Sequence, residues 1–295
     1  VDNASSDGSA TAIAAEFPKV RLFALTENIG FAAANNRASV EARGKYLLLL
    51  NPDTVVLDSA IDRLVDFARR EPLARIWGGR TLYADGSLNP SSCWGRMTLW
   101  SLFCRATGLT GVFKQSEFFN GEAYGNWQRD RIRAVDIVSG CFFLIGRKDW
   151  QKLGGFSPLF FMYGEEADLC LRARAIGARP MIAPEATIVH LGGASEPQRT
   201  GKMIKLLAAK ATLIECHFEG LSRFAAHALL ALWPVSRWLA YRLAYALTGK
   251  EHYHKSMASW AEIWSAHGQW SGGYPMRHQK PDIALAPAMP GAARA

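Results

Sequence analysis

Three places in the chain set reactive side chains where a fold would display them. Asn51-Pro52-Asp53 follows directly on the apolar run Tyr46-Leu47-Leu48-Leu49-Leu50. Glu165, Glu166 and Asp168 crowd together at the head of a helical pattern. His190 closes a second apolar run, Ala186-Thr187-Ile188-Val189, just before Gly192-Gly193. A carboxylate anchored at a strand end presents a fixed charge to a ligand, although an aspartate there also serves as a plain helix cap. Carboxylates packed side by side raise one another's pKa toward the range of a general base. The same cluster also compensates the positive end of a helix dipole. A single histidine serves structure as readily as ligation.

The elements that must hold these residues follow from the pattern. Residues 1–9 read as the end of a strand entering a polar turn, with Asp7 or Ser9 capping a helix over residues 10–17. Pro18 ends that helix, and residues 20–25 are a β-type run. A loop containing Gly30 leads into a helix that Gly44 closes. Residues 45–50 then form a short, unbroken apolar strand, as in a parallel sheet covered on both faces. Strand, helix, strand, helix, strand predicts a doubly wound α/β fold. In such sheets ligands sit beyond the carboxyl ends of the strands. Three polar loops fall there: Asp2-Asn3, Asn28-Ile29-Gly30 and Asn51-Pro52-Asp53. The leucines anchor their strand, Pro52 withholds a backbone donor and stops the ladder, and Asp53 is held at the rim.

Further along, residues 61–70 predict an amphipathic helix and residues 76–90 a hairpin turning at Asp85-Gly86. Residues 91–133 are irregular and rich in aromatics. Residues 134–147 predict a buried strand, 160–177 a loop and a helix ending at Gly177, and 179–195 two short β segments. Residues 202–220 form a helix. Residues 221–249 form a second apolar stretch, broken at Pro234 and interrupted by Arg223, Arg237 and Arg242, so no uninterrupted span of ~20 apolar residues is present. This stretch suits a membrane interface, and it suits equally an ordinary helix pair packed on the α/β domain. Residues 281–295 predict a disordered tail.

With 295 residues, 49% apolar and 20% charged, the chain can bury a sizeable core. Its formal charge of +8 points to an anionic partner: a phosphorylated substrate, an acidic membrane surface or nucleic acid. The five cysteines are odd in number and lack metal-site spacing, which fits reduced thiols in a cytosolic protein.

Six segments in order resemble inverting family 2 glycosyltransferases of the GT-A fold, close to bacterial rhamnosyltransferase-like members. VDNASSDGS (1–9) resembles the nucleotide-binding turn and ENIGFAAANN (27–36) the loop and helix beside the nucleotide. NPDTVV (51–56) resembles the D-x-D metal element and VSGCFFLIGR (138–147) the strand leading to the acceptor. GGFSPLFFMYGEEADLCLRARAIG (154–177) resembles the catalytic loop and helix, and PEATIVHLGGAS (184–195) the closing histidine element. Ordered motifs are more specific together than any one alone.

The resemblance implies a GT-A nucleotide-diphospho-sugar transferase fold over residues 1–200, a mostly parallel sheet flanked by helices. A helical, membrane-interface region would follow over residues 201–280. The family's first strand and helix, about 40 residues by a βαβ estimate, have no counterpart ahead of Val1, so an N-terminal truncation is expected. Asn51 stands in the first place of D-x-D, leaving Asp53 as the main carboxylate. Asp53 and His190 would hold Mg²⁺ or Mn²⁺ on the diphosphate. Glu166, where many members carry aspartate, would be the general base, with Glu165 beside it. Asp168 would cap the helix or pair with Arg172. Asp2 would bond the base or ribose and Asn3 shape the turn, while Asn28 and Gly30 bring backbone close to the nucleotide. Arg172 would pair with Glu165 or Asp168, or reach the diphosphate.

The partners so implied are a nucleoside diphosphate sugar, with dTDP-rhamnose the donor suggested by the rhamnosyltransferase-like members, and a glycan or polyprenyl-linked acceptor. The anionic inner face of the cell membrane, reached from the cytoplasm, is the third. The aromatics of residues 91–133 would line an acceptor groove or fill a core under a long loop. Two other readings stand beside this one: an inactive or donor-binding-deficient fragment, and a basic nucleic-acid-binding protein. Scattered rather than striped basic residues weigh against the last, so no nucleic acid is expected.

Overall fold

The leucine run does form a strand, and the sheet it joins is mixed. A computed structural model describes residues 1–191 and 199–275. Its strands are β1 (Tyr46–Leu50), β2 (Thr54–Val56), β3 (Ile76–Leu82), β4 (Cys93–Trp94), β5 (Arg133–Ala134), β6 (Ile137–Val138), β7 (Phe142–Gly146) and β8 (Met181–His190). The helices of the first half are α1 (Ser9–Glu16), α2 (Phe31–Glu41), α3 (Ala60–Arg70), α4 (Leu99–Thr107) and α5 (Leu109–Val112). Those of the second half are α6 (Arg147–Leu153), α7 (Glu165–Ala175), α8 (Arg199–His217), α9 (Gly220–Thr248), α10 (Glu251–Ser265) and α11 (His267–Trp270).

The main sheet runs β1-β7-β3-β8-β2, with β5 on β8. Among the described residues only the β3–β8 ladder of this sheet is parallel; its other ladders are antiparallel. This corrects the expectation of a mostly parallel sheet. Long excursions separate the strands and let the chain re-enter from either end, a choice that local alternation does not encode. β1 lies at the sheet edge and pairs with β7 alone. Its side chains still serve both faces, because successive residues point opposite ways. Leu47 and Leu49 enter the core beneath α2, α6 and α7. Tyr46 and Leu48 pack on the opposite core, where Leu64 and Phe67 of α3 cover the sheet.

Several local expectations change. Residues 20–25 make no ladder: Asp2 N–H donates to Phe23 C=O (2.8 Å), Leu25 N–H donates to Asp2 C=O (2.9 Å), and one parallel bridge joins Asp2 to Ala24. Helix α2 stops at Glu41, where Ala42 turns extended, so Gly44 lies beyond the cap. The Asp85-Gly86 turn forms, but its hairpin is a single bridge from Leu82 to Leu88. Instead β3 becomes the middle of the sheet. A Cβ on Gly79 would lie 2.0 Å from the Ala186 carbonyl oxygen, where the register on β8 jumps from Ala183 to Thr187. The glycine therefore permits a bulge and a close backbone approach. The strand expected over 134–147 is divided among β5, β6 and β7, and the two segments expected over 179–195 merge into β8.

Pro234 does not break the second C-terminal helix. It is buried inside the continuous α9, and the Ser236 hydroxyl donates to the Trp233 carbonyl (2.9 Å) beside it. Leu102 and Ala106 of α4 share a third core with Leu207, Leu230, Ile263 and Trp270 of the C-terminal helices. The aromatic stretch thus divides. Tyr124 and Trp127 are buried, while Trp100, Phe103, Phe113 and Phe118 are exposed and cluster with Phe119. Among the described residues no helix is long and apolar enough to cross a membrane. The tail expected over 281–295 and the Gly192-Gly193 pair lie outside the described residues.

Candidate active site

The turn from β1 into β2 carries Asn51, Pro52 and Asp53. Asn51 N–H donates to Cys141 C=O (3.1 Å), and Thr54 Oγ1 donates back to Asn51 C=O (2.7 Å). These bonds fix the turn from both ends. Strand β2 pairs antiparallel with β8, with Thr54 opposite His190. The pairing brings His190 Nε2 to 3.2 Å from Asp53 Oδ1 and 3.5 Å from Asn51 Nδ2. His190 Nδ1 is buried with no hydrogen-bond partner among the described residues.

A divalent cation can be tested against this pair. Two neighbouring ligands, each about 2.1 Å from a shared hard cation, sit about 3 Å apart, and the Asp53–His190 separation matches. No group of three or more His, Cys, Asp or Glu that could hold a metal occurs among the described residues. Two protein ligands are enough where substrate phosphates and water complete the shell, the usual manner of Mg²⁺ sites. The donor set fits.

The acidic loop is built from farther away. Gly154 and Gly155 both take positive φ (73° and 69°) after α6. The side chain of Asn36 on α2 clamps the following residue, donating to Phe156 C=O (2.8 Å) and accepting from Phe156 N–H (2.9 Å). Arg172 donates to Leu153 C=O (2.7 Å), to Gly155 C=O (2.9 Å) and to Asp168 Oδ2 (2.8 Å). Asp168 Oδ1 lies 3.0 Å from His217 Nε2 on α8. Arg172 therefore ties the loop to α7 and does not pair with Glu165. Its donors are directed at the loop backbone rather than at a diphosphate, which corrects that expectation. Both carboxylate oxygens of Asp168 are thus engaged within the protein, by Arg172 and His217.

Gly30 also has a different partner from the one expected. Its φ is 86°, and a Cβ there would meet the Phe161 carbonyl oxygen at 2.5 Å. Phe31 N–H donates to the same oxygen (3.0 Å). The glycine admits the acidic loop rather than a nucleotide. The Asn3 amide is likewise spent within the protein. Asn3 Nδ2 donates to Asn28 Oδ1 (3.0 Å), and Ile29 N–H donates to Asn3 Oδ1 (2.9 Å). Asn28 Oδ1 also accepts from Gly30 N–H (2.9 Å). Asn3 shapes the turn as expected, and Asn28 joins it in holding two loops in register. Buried Asp2 accepts from Ser5 N–H (3.0 Å) on one carboxylate oxygen.

Tyr163 (φ 68°) and Gly164 (φ 90°) are consecutive left-handed residues that deliver Glu165 and Glu166 to the first turn of α7. A non-glycine residue there is held against its preference, a feature that gathers at functional sites. Glu165 is buried and Glu166 partly so, and Oε2 of each lacks a hydrogen-bond partner among the described residues. Burial, and then the neighbouring Glu166 charge, pushes the Glu165 carboxyl well above the ordinary range. Burial also raises Glu166, while backbone N–H groups at the start of α7 pull it back toward ionisation. Both carboxyls of the pair are therefore held above the ordinary carboxylate range, chiefly by burial. The Glu166 charge is felt at the Cys141 thiol, which burial chiefly raises. Cys141 is the residue whose carbonyl anchors Asn51. Phe31, whose N–H holds the Phe161 carbonyl, sets its ring beside Gly140, so the loop before the acidic pair lies near the end of the sheet that carries the Asp53 turn.

A mixed sheet flanked by helices, carrying a carboxylate–histidine pair at one edge, is a GT-A-like arrangement. A mannosyltransferase from Pyrobaculum calidifontis, solved with GDP-Man and Mn²⁺, superposes over 91% of this chain and 76% of its own, with a TM-score of 0.53 at 16% identity. That likeness shows the fold. The chain belongs to glycosyl transferase family 2, whose model matches residues 1–154. It is 28% identical over 207 residues to the N-acetylglucosaminyl-diphospho-decaprenol L-rhamnosyltransferase of Mycobacterium tuberculosis, and the match spans 64% of the length of each protein. It is also 28% identical over 202 residues to the O-antigen biosynthesis protein RfbC of Myxococcus xanthus, covering 66% of this chain and 15% of that one.

Proposed function

We propose that the protein is an inverting glycosyltransferase that moves a sugar, rhamnose in our reading, from a nucleoside diphosphate to a hydroxyl of a lipid-linked or surface glycan. The observation that carries this reading is the pairing of Asp53 with His190 at 3.2 Å, and the buried, raised Glu165–Glu166 pair supports it. Asp53 and His190 would hold a divalent cation, which would supply charge neutralisation for the leaving diphosphate. Asp2 faces the base or ribose with its remaining acceptor capacity. Glu166 accepts the proton of the attacking hydroxyl, so it must lie on the side opposite the diphosphate. Glu165, buried beside it, supports the loop. Rhamnose and the lipid-linked acceptor are supported by the mycobacterial relative, and the surface glycan by the myxobacterial one.

The test is a donor screen on the full chain with dTDP-rhamnose, UDP- and GDP-sugars, with Mn²⁺ or Mg²⁺, scoring release of nucleoside diphosphate. Asp53→Ala should abolish the metal-dependent component of dTDP binding in titration calorimetry and leave the melting temperature near its starting value. Unchanged metal-dependent binding would remove Asp53 from the site.

Work on a lipid-linked acceptor places the enzyme at an anionic membrane. Leu239, Leu243 and Leu247 lie on an exposed face of α9 (51%, 62% and 77% accessible), with exposed Arg242 among them and Lys250 just beyond the helix. An apolar stripe edged by cations suits an interfacial helix. Replacing Leu243 and Leu247 by glutamate in the full chain should release it from phosphatidylglycerol vesicles in a sedimentation assay. Equal sedimentation of the variant and the parent would leave α9 as an ordinary packed helix.

A further inference from the structure

The end of the helical region returns to the acidic loop. After α11, Gly273 takes a φ of 76° and presses on α8, where a Cβ would lie 2.6 Å from Thr212 Oγ1. Thr212 is buried; its hydroxyl donates to Ala208 C=O (3.0 Å) and accepts from Tyr274 N–H (2.9 Å). This clamp sets the backbone of Tyr274 and aims its side chain. The ring meets Phe160 edge-on with centroids 6.4 Å apart, and the phenol donates to the carbonyl of Met162, with Lys205 C=O a second acceptor at 3.3 Å.

Met162 directly precedes the two left-handed residues Tyr163 and Gly164, which in turn precede Glu165 and Glu166. The carbonyl before it, on Phe161, is held by Phe31 N–H at 3.0 Å. Two consecutive carbonyls of the loop are thus gripped by opposite parts of the chain, α2 and the segment after α11. A strained backbone persists only where its surroundings over-determine it, and these grips are what over-determine it here.

We propose that Tyr274 is a positioning residue for the acidic pair. Its hydroxyl holds Met162 so that the left-handed turn delivers the Glu166 carboxylate to the acceptor. The C-terminal helices therefore serve catalysis directly and not only attachment or stability. The catalytic half of this inference rests on the role of Glu166 proposed above.

The test uses the full chain with Tyr274→Phe and Tyr274→Ala. Phenylalanine keeps the ring on Phe160 and removes the hydroxyl that donates toward the Met162 and Lys205 carbonyls. One neutral hydrogen bond shifts such an equilibrium by about 2- to 10-fold. Hydrogen–deuterium exchange should therefore rise by that factor at amides 161–166 in Tyr274→Phe, and further in Tyr274→Ala, with exchange in β3 and β7 unchanged. Turnover of dTDP-rhamnose should fall by a similar factor while its KM stays put. Exchange at 161–166 equal to the parent in both variants overturns the proposal. A uniform rise across the protein does so too, because it marks a merely structural tyrosine. If local exchange rises but Glu166→Gln turns over normally, the brace stands and the assignment of Glu166 falls.

Discussion

Replacing Glu166 by glutamine is expected to lower sugar transfer by about 10²- to 10⁴-fold, the usual contribution of a positioned general base, while binding of dTDP with Mn²⁺ persists. Glutamine keeps the size and hydrogen-bonding outline and removes the basic oxygen. Glu165→Gln should act more weakly, since Glu165 is buried in the first turn of α7 and supports the loop. If Glu165→Gln abolishes transfer and Glu166→Gln is mild, the two roles are exchanged. If both are mild, the acidic turn is a helix-start charge device and the base lies elsewhere.

The pH dependence gives an independent check on the same pair. Both carboxyls are raised in the folded protein, chiefly by burial. The base works when ionised, so turnover should climb with pH through a value above the ordinary carboxylate range. For stability, a raised group binds its proton more tightly folded than unfolded. Its contribution is fully present below the unfolded pKa and is lost as pH rises through the folded one. Glu165→Gln should therefore melt higher than the parent at pH 8, with the gap closing toward pH 4. Parallel melting curves across that range would show that the pair is not held at a cost in the native state.

The sequence displays the ends of the strands better than their partners. Four leucines followed by Asn-Pro-Asp mark a strand and its stop locally, so the placing of Asp53 at a sheet rim is legible from those residues alone. Which strand lies beside it is not, because β1–β7 and β2–β8 pairings join residues far apart in the chain. The approach of His190 to Asp53 follows from such a pairing, and the sequence suggests it only through the resemblance of the closing histidine element. The residues that hold the acidic loop escape a reading of the sequence for the same reason. Asn36 reaches Phe156 across 120 positions and Tyr274 reaches Met162 across 112. A faint local signal exists for Asn36: two adjacent asparagines inside a helical pattern are poor helix formers, and a half-buried clamp accounts for one of them. Gly30 shows how a correct residue type can carry the wrong partner. The glycine is legible as a close approach, but the backbone that approaches is Phe161 rather than a ligand.

Glu122→Ala is expected to cost about 3–5 kcal/mol of stability, the range for removing one member of a buried ion pair. Glu122 is largely buried; its carboxylate accepts from Lys210 Nζ (2.9 Å), Arg105 Nη2 (3.3 Å) and Ser101 Oγ (2.9 Å). Burial alone would push this carboxyl up, but the Lys210 and Arg105 charges, with hydrogen bonds from Lys210 and Ser101, outweigh it and hold the pKa at about 2. Arg105 also lies over the Trp233 ring of α9 (5.0 Å), and Arg237 of α9 donates to the Arg105 carbonyl (2.5 Å). The cluster therefore joins the segment between β4 and β5 to α8 and α9, and its loss leaves two cations in a core without a counter-charge. Because the folded pKa is depressed, this stability is present above the unfolded pKa near 4.5 and fades as pH falls toward about 2. Urea denaturation of the parent should show that loss, and Glu122→Ala should not. Adding Lys210→Met to Glu122→Ala should recover part of the deficit, since an apolar replacement of a buried pair is often neutral or better. A deficit under about 1 kcal/mol in the single variant, the range of an exposed pair, would mean that water reaches the cluster. In that case α8 and α9 owe their place on the catalytic domain to the apolar core around Leu230 and Trp270 alone, and disrupting that core, rather than the charges, should uncouple the helices from the acidic loop.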